Sequence, residues 1–120
     1  MITEGKHQVE VVSHFIDQSR SGTWFVMVKF KNALGEIIPA RITLKEESEA
    51  CMRIARKSLK AMGFNPDERD VNELDQNQTL LVGNKVEIEV AEETYRGNTE
   101  MKVKWINPIR QPKSKEVMKT

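Results

Sequence analysis

Apolar and polar character alternates residue by residue through Trp24-Phe25-Val26-Met27-Val28-Lys29-Phe30-Lys31. Trp24, Val26, Val28 and Phe30 share one side of this run, and Phe25, Met27, Lys29 and Lys31 share the other. A period of two belongs to a strand with one face in a core and one toward solvent, so Trp24 is expected in the core. Before it, residues 6–17 predict a first strand whose phase slips, with apolar residues at 9 and 11, then 12, then 15 and 16. Such a slip predicts a bulge or sharp coiling, the device by which sheets turn a corner. Asp17 to Thr23 is a polar loop with turn chemistry, and Asn32-Ala33-Leu34-Gly35 closes a hairpin. The third strand, Glu36 to Lys45, turns Ile38, Ala40, Ile42 and Leu44 inward and Ile37, Pro39, Arg41, Thr43 and Lys45 outward. Pro39 has no N–H for a ladder bond, which marks a bulge or an exposed edge.

The period then changes. From about Glu46 to Met62, the residues Cys51, Ile54, Ala55, Leu59 and Met62 recur at three- and four-residue steps, the stripe of an amphipathic helix. Acids at 46, 47 and 49 precede bases further on, as the macrodipole favours, and Gly63 with Pro66 beyond it stops the helix. Residues 67–83 are polar; Asp70 to Leu74 predicts one short capped turn, followed by Leu80-Leu81-Val82-Gly83 docking on the barrel. A fourth strand, Lys85 to Ala91, puts Val86, Ile88 and Val90 inward and Glu87 and Glu89 outward. Tyr95-Arg96-Gly97-Asn98 reads as a hairpin loop, its glycine permitting positive φ. In the fifth strand, Glu100 to Asn107, Met101, Val103 and Trp105 oppose Lys102, Lys104 and Ile106, so Trp105 is also expected in the core. Pro108 ends it, and 109–120 lacks amphipathic period and reads as a flexible tail.

Strand, strand, strand, helix, strand, strand is the element order of an OB-fold, a five-stranded, partly open Greek-key barrel. The expectation is therefore an all-β chain with one main helix, between strands 3 and 4, forming one domain over 1–108. A chain of 120 residues supports a core without disulfides or metals. One cysteine, Cys51, excludes an internal disulfide and fits a reducing compartment. Neither a membrane-spanning run nor a basic-then-apolar leader stands in the sequence, which points to the cytoplasm.

Charge changes the picture only when it is placed on strands. There are 19 Lys and Arg against 18 Asp and Glu, a net +1, so anion binding requires segregation onto one face. An OB-fold binds oligonucleotides on strands 2 and 3, between the 1–2 and 4–5 loops. Those places hold Arg20 in the first loop, Phe25, Met27, Lys29 and Lys31 on strand 2, and Arg41 and Lys45 on strand 3. Tyr95 and Arg96 occupy the second loop, with Lys102 and Lys104 on strand 5. Rings stack bases while cations pair with phosphates, so the set predicts single-stranded nucleic-acid binding without sequence preference, Phe25 and Tyr95 stacking. The alternative for strand 2 buries Phe25 and Met27 on a covered face, and for 95–98 a turn and nothing more. Arg53, Arg56, Lys57 and Lys60 form either a solvated helix face or a second phosphate patch.

No enzyme is expected: the chain has no Gly-rich phosphate loop, no Cys-x-x-Cys and no His-Glu-x-x-His. His7 and His14 lack company for a metal and are read as solvated or hydrogen-bonded, and Cys51 as a small hydrophobe. No cofactor is implied.

The chain resembles a family as well, the small OB-fold single-stranded-DNA-binding proteins of phages and prophages, over roughly Gly5 to Asn107. The resemblance is carried by Gly5-Lys6-His7-Gln8-Val9, Ser21-Gly22, Leu59-Lys60-Ala61-Met62-Gly63, Leu81-Val82-Gly83-Asn84-Lys85-Val86, Glu92-Glu93-Thr94-Tyr95-Arg96-Gly97-Asn98 and Lys104-Trp105-Ile106. It implies coating of single-stranded DNA in phage replication or recombination, with replication or recombination proteins as partners. Bacterial single-strand binders typically end in an acidic tip; the sequence Lys115-Glu116-Val117-Met118-Lys119-Thr120 does not support that recruitment mode. A second function class keeps the same barrel as a protein-interaction module, with Phe25, Met27 and Ile37 as an apolar docking patch.

Overall fold

The computed structural model describes residues 2–109; the expected tail, from 110 onward, lies outside the described residues. Five antiparallel strands form one sheet: β1 (Gly5–Gln18), β2 (Trp24–Lys31), β3 (Ile37–Leu44), β4 (Lys85–Tyr95) and β5 (Asn98–Pro108). Helix α1 (Glu49–Ala61) lies between β3 and β4, followed by the single turn α2 (Glu73–Gln76). The spatial order is β3-β2-β1-β4-β5. The edges β3 and β5 approach one another without pairing, so the sheet is not closed into a barrel, and α1 packs against both.

The slip in β1 is a register shift between Val11 and Ser13. It lets one long strand serve two partners: Gly5 to Glu10 pair with β4, and Glu10 to Gln18 with β2. Past the shift His14 and Ile16 turn inward and Phe15 outward. The core face collects Val9, Val11, Val26, Val28, Phe30, Ile38, Ala40, Ile42, Val86, Ile88 and Val90. Its base is covered by Ala55, Leu59, Met62, Phe64, Leu74 and Leu81.

Helix α1 begins three residues later than expected. Ser48 is its cap, the Oγ accepting from the Cys51 N–H at 3.2 Å, and this leaves Glu46 and Glu47 outside the helix. It ends in paired bonds from Phe64 N–H to the Leu59 carbonyl (2.9 Å) and from Gly63 N–H to the Lys60 carbonyl (3.0 Å), with Gly63 at φ +95°. Only a residue without Cβ takes that conformation cheaply. Cys51 is half-buried, its Sγ donating to the Thr43 carbonyl, while Ile54, expected in the apolar stripe, is exposed.

Two tryptophans depart from the core positions expected of them. Trp24 lies on the inward side of β2 but at its first residue, beyond the reach of the core, and is 51% exposed. Trp105 points outward because of a second register shift, between Glu89 and Val90. Glu89 pairs with Trp105 and Val90 with Val103, leaving Lys104 as the extra residue. The phase flips there, so Ile106, expected outside, is buried, and Trp105 is 46% exposed.

His14 fixes the covering segment. Its Nε2 accepts from the Leu81 N–H at 3.0 Å, which places the ring proton on Nδ1. That Nδ1 is buried without a hydrogen-bond partner; the Leu74 carbonyl pulls on the ring but misses bonding geometry. Burial in this apolar setting pushes the imidazole pKa below its usual range, and the Leu74 carbonyl opposes the shift only partly.

Candidate nucleic-acid interface

The outer face of the sheet over β1, β2 and β3 follows from the registers. Phe25 lies between Asp17 and Thr43, Met27 between Phe15 and Arg41, Lys29 between Ser13 and Pro39, and Lys31 between Glu10 and Ile37. Pro39 sits in unbroken register with Lys29, tolerated because β3 is a sheet edge. Lys29, Lys31 and Arg41 are exposed, and none of them is held in an ion pair among the described residues.

Phe25 faces outward as the alternation predicts, yet it is only 7% exposed and takes no part in the core cluster. Its cover is Arg41, diagonal to it across the β2–β3 ladder, with the guanidinium carbon 4.2 Å from the ring centroid. The ring thus has little free surface for a base. The exposed planar group at this point of the floor is the guanidinium lying over it. Met27 and Phe15 beside it are half-buried.

A second Arg–aromatic pair has the opposite arrangement. The β4–β5 hairpin turns at Arg96-Gly97, both at positive φ (51° and 81°), with Tyr95 opposite Asn98. Two central residues at positive φ define a type I′ turn, a place where Asn-Gly is favoured and Arg is not. Arg96 therefore carries strain, and the side chain it contributes lies 5.2 Å from the Tyr95 centroid. Tyr95 itself is 67% exposed.

The predicted residues are only partly brought together. Phe25, Met27, Lys29, Lys31 and Arg41 form one surface, and Lys45 lies exposed just past the end of β3. Arg20 sits in the β1–β2 loop, beside the other end of β2 from Lys31. The hairpin arm carrying Tyr95 and Arg96 leans on the start of β3, where Ile37, Ile38 and Pro39 share a concavity with Glu92, Thr99, Glu100 and Met101. Lys102 pairs with Ala91 on that arm. Lys104 is already engaged, its Nζ 2.6 Å from Glu93 Oε2. That bond, with the charge of Lys104 and more weakly of Lys102, holds the Glu93 carboxyl below the usual range.

Sequence reasoning missed Trp24 as a surface ring. It borders a concavity of about 520 Å³ together with Ile16, Leu44, Met52, Arg69 and Val71, at the end of the sheet near Arg20. Its place at the very start of a strand was the available signal. Among the described residues no three His, Cys, Asp or Glu side chains gather as a metal site, and no helix is long and apolar enough to cross a membrane. No protein-family model and no curated protein sequence matches the chain.

Proposed function

We propose that this protein is a sequence-independent single-stranded-DNA-binding protein of OB type. The strand would lie across the outer face of β2 and β3 with its phosphates on Lys29, Lys31 and Arg41. The observation that carries the reading is the Arg41–Phe25 stack. A buried ring holds a guanidinium over its face, flanked by two lysines with no ion-pair partner among the described residues, and so offers one planar group for a base and three charges for phosphates. Tyr95, backed by Arg96, supplies the second stacking surface. Arg20 and Lys45 extend the cationic border, Lys102 adds charge along the hairpin arm, and Lys104 would join only by leaving Glu93.

The OB assignment rests on the strand order, the coiled β1 shared by β2 and β4, and a helix set against both free edges. A place in phage replication or recombination rests on the resemblance carried by the motifs between Gly5 and Asn107. The protein-interaction reading keeps Ile37, which is exposed beside Pro39, but loses Phe25 to Arg41.

Oligo-dT binding followed by fluorescence anisotropy across a salt series tests the reading. Wild-type affinity should fall linearly on a log–log plot. The triple variant Lys29→Ala, Lys31→Ala, Arg41→Ala should lose about two units of slope, at ~0.7 per phosphate contact on a single strand. A wild-type protein that leaves long oligo-dT unbound at low salt sinks the proposal.

A further inference from the structure

Arg53, Arg56, Lys57 and Lys60 stand at i, i+3, i+4 and i+7 on α1, so the four cations fall on one helical face. With Ala61 and Pro108 they line a shallow concavity of about 460 Å³ to which no acid contributes among the described residues. Only Lys60 has an ion-pair partner among the described residues, Asp67 at 2.9 Å. That Lys60 contact, with a weaker pull from Arg56, holds the Asp67 carboxyl below its usual range. Like charges at these spacings repel and weaken a helix, whereas a face built only for solvent and stability would mix signs. The repulsion is relieved when a polyanion lies along the stripe.

The stripe also adjoins the sheet face. Arg41 and Thr43 of β3, Cys51 and Ile54 of α1, and Lys104 of β5 line a common cleft where the edges β3 and β5 approach without pairing. Arg41 therefore belongs both to the stacking floor and to the seam that leads to the helix. Ile54, exposed on the seam, is the residue after Arg53.

We infer that α1 carries a second phosphate-binding surface. A single strand leaving the β2–β3 floor crosses the β3 edge at Arg41 and continues along Arg53, Arg56 and Lys57, with Lys60 at the far end. This rests on the single-strand reading above and adds a footprint longer than the sheet alone provides. Its ligand is the sugar-phosphate backbone, read without regard to base.

The test is a length series of oligo-dT, from about 4 to about 30 nucleotides, spanning the ~4–16 nucleotides that one OB domain covers. It compares wild type with the triple variant Arg53→Gln, Arg56→Gln, Lys57→Gln, which spares the Lys60–Asp67 contact. Thermal melting of the variant should match or exceed wild type, because repulsion has been removed. The shortest oligomers that bind wild type should bind the variant equally. The longest should bind about tenfold more weakly, with a salt slope reduced by about two. Equal affinity and slope on long oligomers would overturn the inference, and so would an equal loss at every length, since α1 would then be no separate surface. Failure of the wild type at all lengths is a different result, which removes the parent reading instead.

Discussion

Strands β2 and β3 turn Lys29, Lys31 and Arg41 to solvent, whereas β4 turns out Glu87 and Glu89, the latter opposite Trp105 of β5. The β2–β3 ladder keeps its alternation unbroken and the β4–β5 ladder shifts phase once, yet each half places an aromatic ring on its outer side. They differ in what lies against the ring. Phe25 is closed over by a guanidinium, while Trp105 is half open beside carboxylates. On the proposed reading the charge beside a ring, and not its exposure, is what selects a surface for nucleic acid, since phosphates must approach wherever a base stacks. The net charge of +1 conceals this division, because the signs cancel over the molecule and not over the face.

Reversing the charges tests the division most strongly. Lys29→Glu with Lys31→Glu and Arg41→Glu should weaken oligo-dT binding by roughly hundredfold or more at low salt. Glu87→Lys with Glu89→Lys should raise affinity a few-fold, since it removes repulsion beside the floor without adding a stacking plane. If the β4 swap proved as damaging as the β2–β3 swap, the two halves would not differ in function.

A subtler pair of changes separates charge from shape. Arg41→Lys keeps the cation but removes the plane and uncovers Phe25, and stacking is worth ~1–3 kcal/mol per base. Binding should fall about tenfold while the salt slope stays unchanged. Trp105→Ala should leave both quantities at wild-type values. A changed slope in Arg41→Lys would mean that Arg41 acts by charge alone.

How much of this could be read from the chain depends on whether the signal was local. The slip in β1 was legible because its apolar residues themselves change phase between Val11 and Phe15. The shift in β5 was hidden, because Met101, Val103 and Trp105 keep perfect alternation while the bulge falls at a lysine. The outward side of Phe25 was legible from period two, but its cover was not. Arg41 reaches the ring only through the β2–β3 register, which no single strand encodes. Helix α1 was legible as an amphipathic stripe, though the acids at 46 and 47 masked Ser48 as the cap.

Both halves of the face hang on β1, so a lesion at its inner side should affect them together. His14→Ala strips the Leu81 N–H of its acceptor and opens a cavity, at a cost of ~2 kcal/mol or more. Since the folded pKa lies below the unfolded value, the folded state binds fewer protons under acid conditions. The His14 contribution is therefore intact above the unfolded pKa of about 6.5 and is lost as pH falls below it toward the folded pKa. Urea melts at pH 7.5 and 5.5 should show lower stability at the acid pH, and His14→Leu should flatten that part of the dependence. A variant melt that keeps the wild-type drop would assign the proton uptake elsewhere.

The smallest effect expected lies at the hairpin tip, where stability and binding should move in opposite directions. Arg96 holds φ 51° in a turn that prefers asparagine, so Arg96→Asn should stabilise the fold slightly and raise the melting temperature. The same change removes the cation behind Tyr95 and should weaken oligo-dT binding severalfold. A substitution that stabilises the turn and also leaves affinity intact would remove the hairpin from the interface and confine binding to the β2–β3 floor.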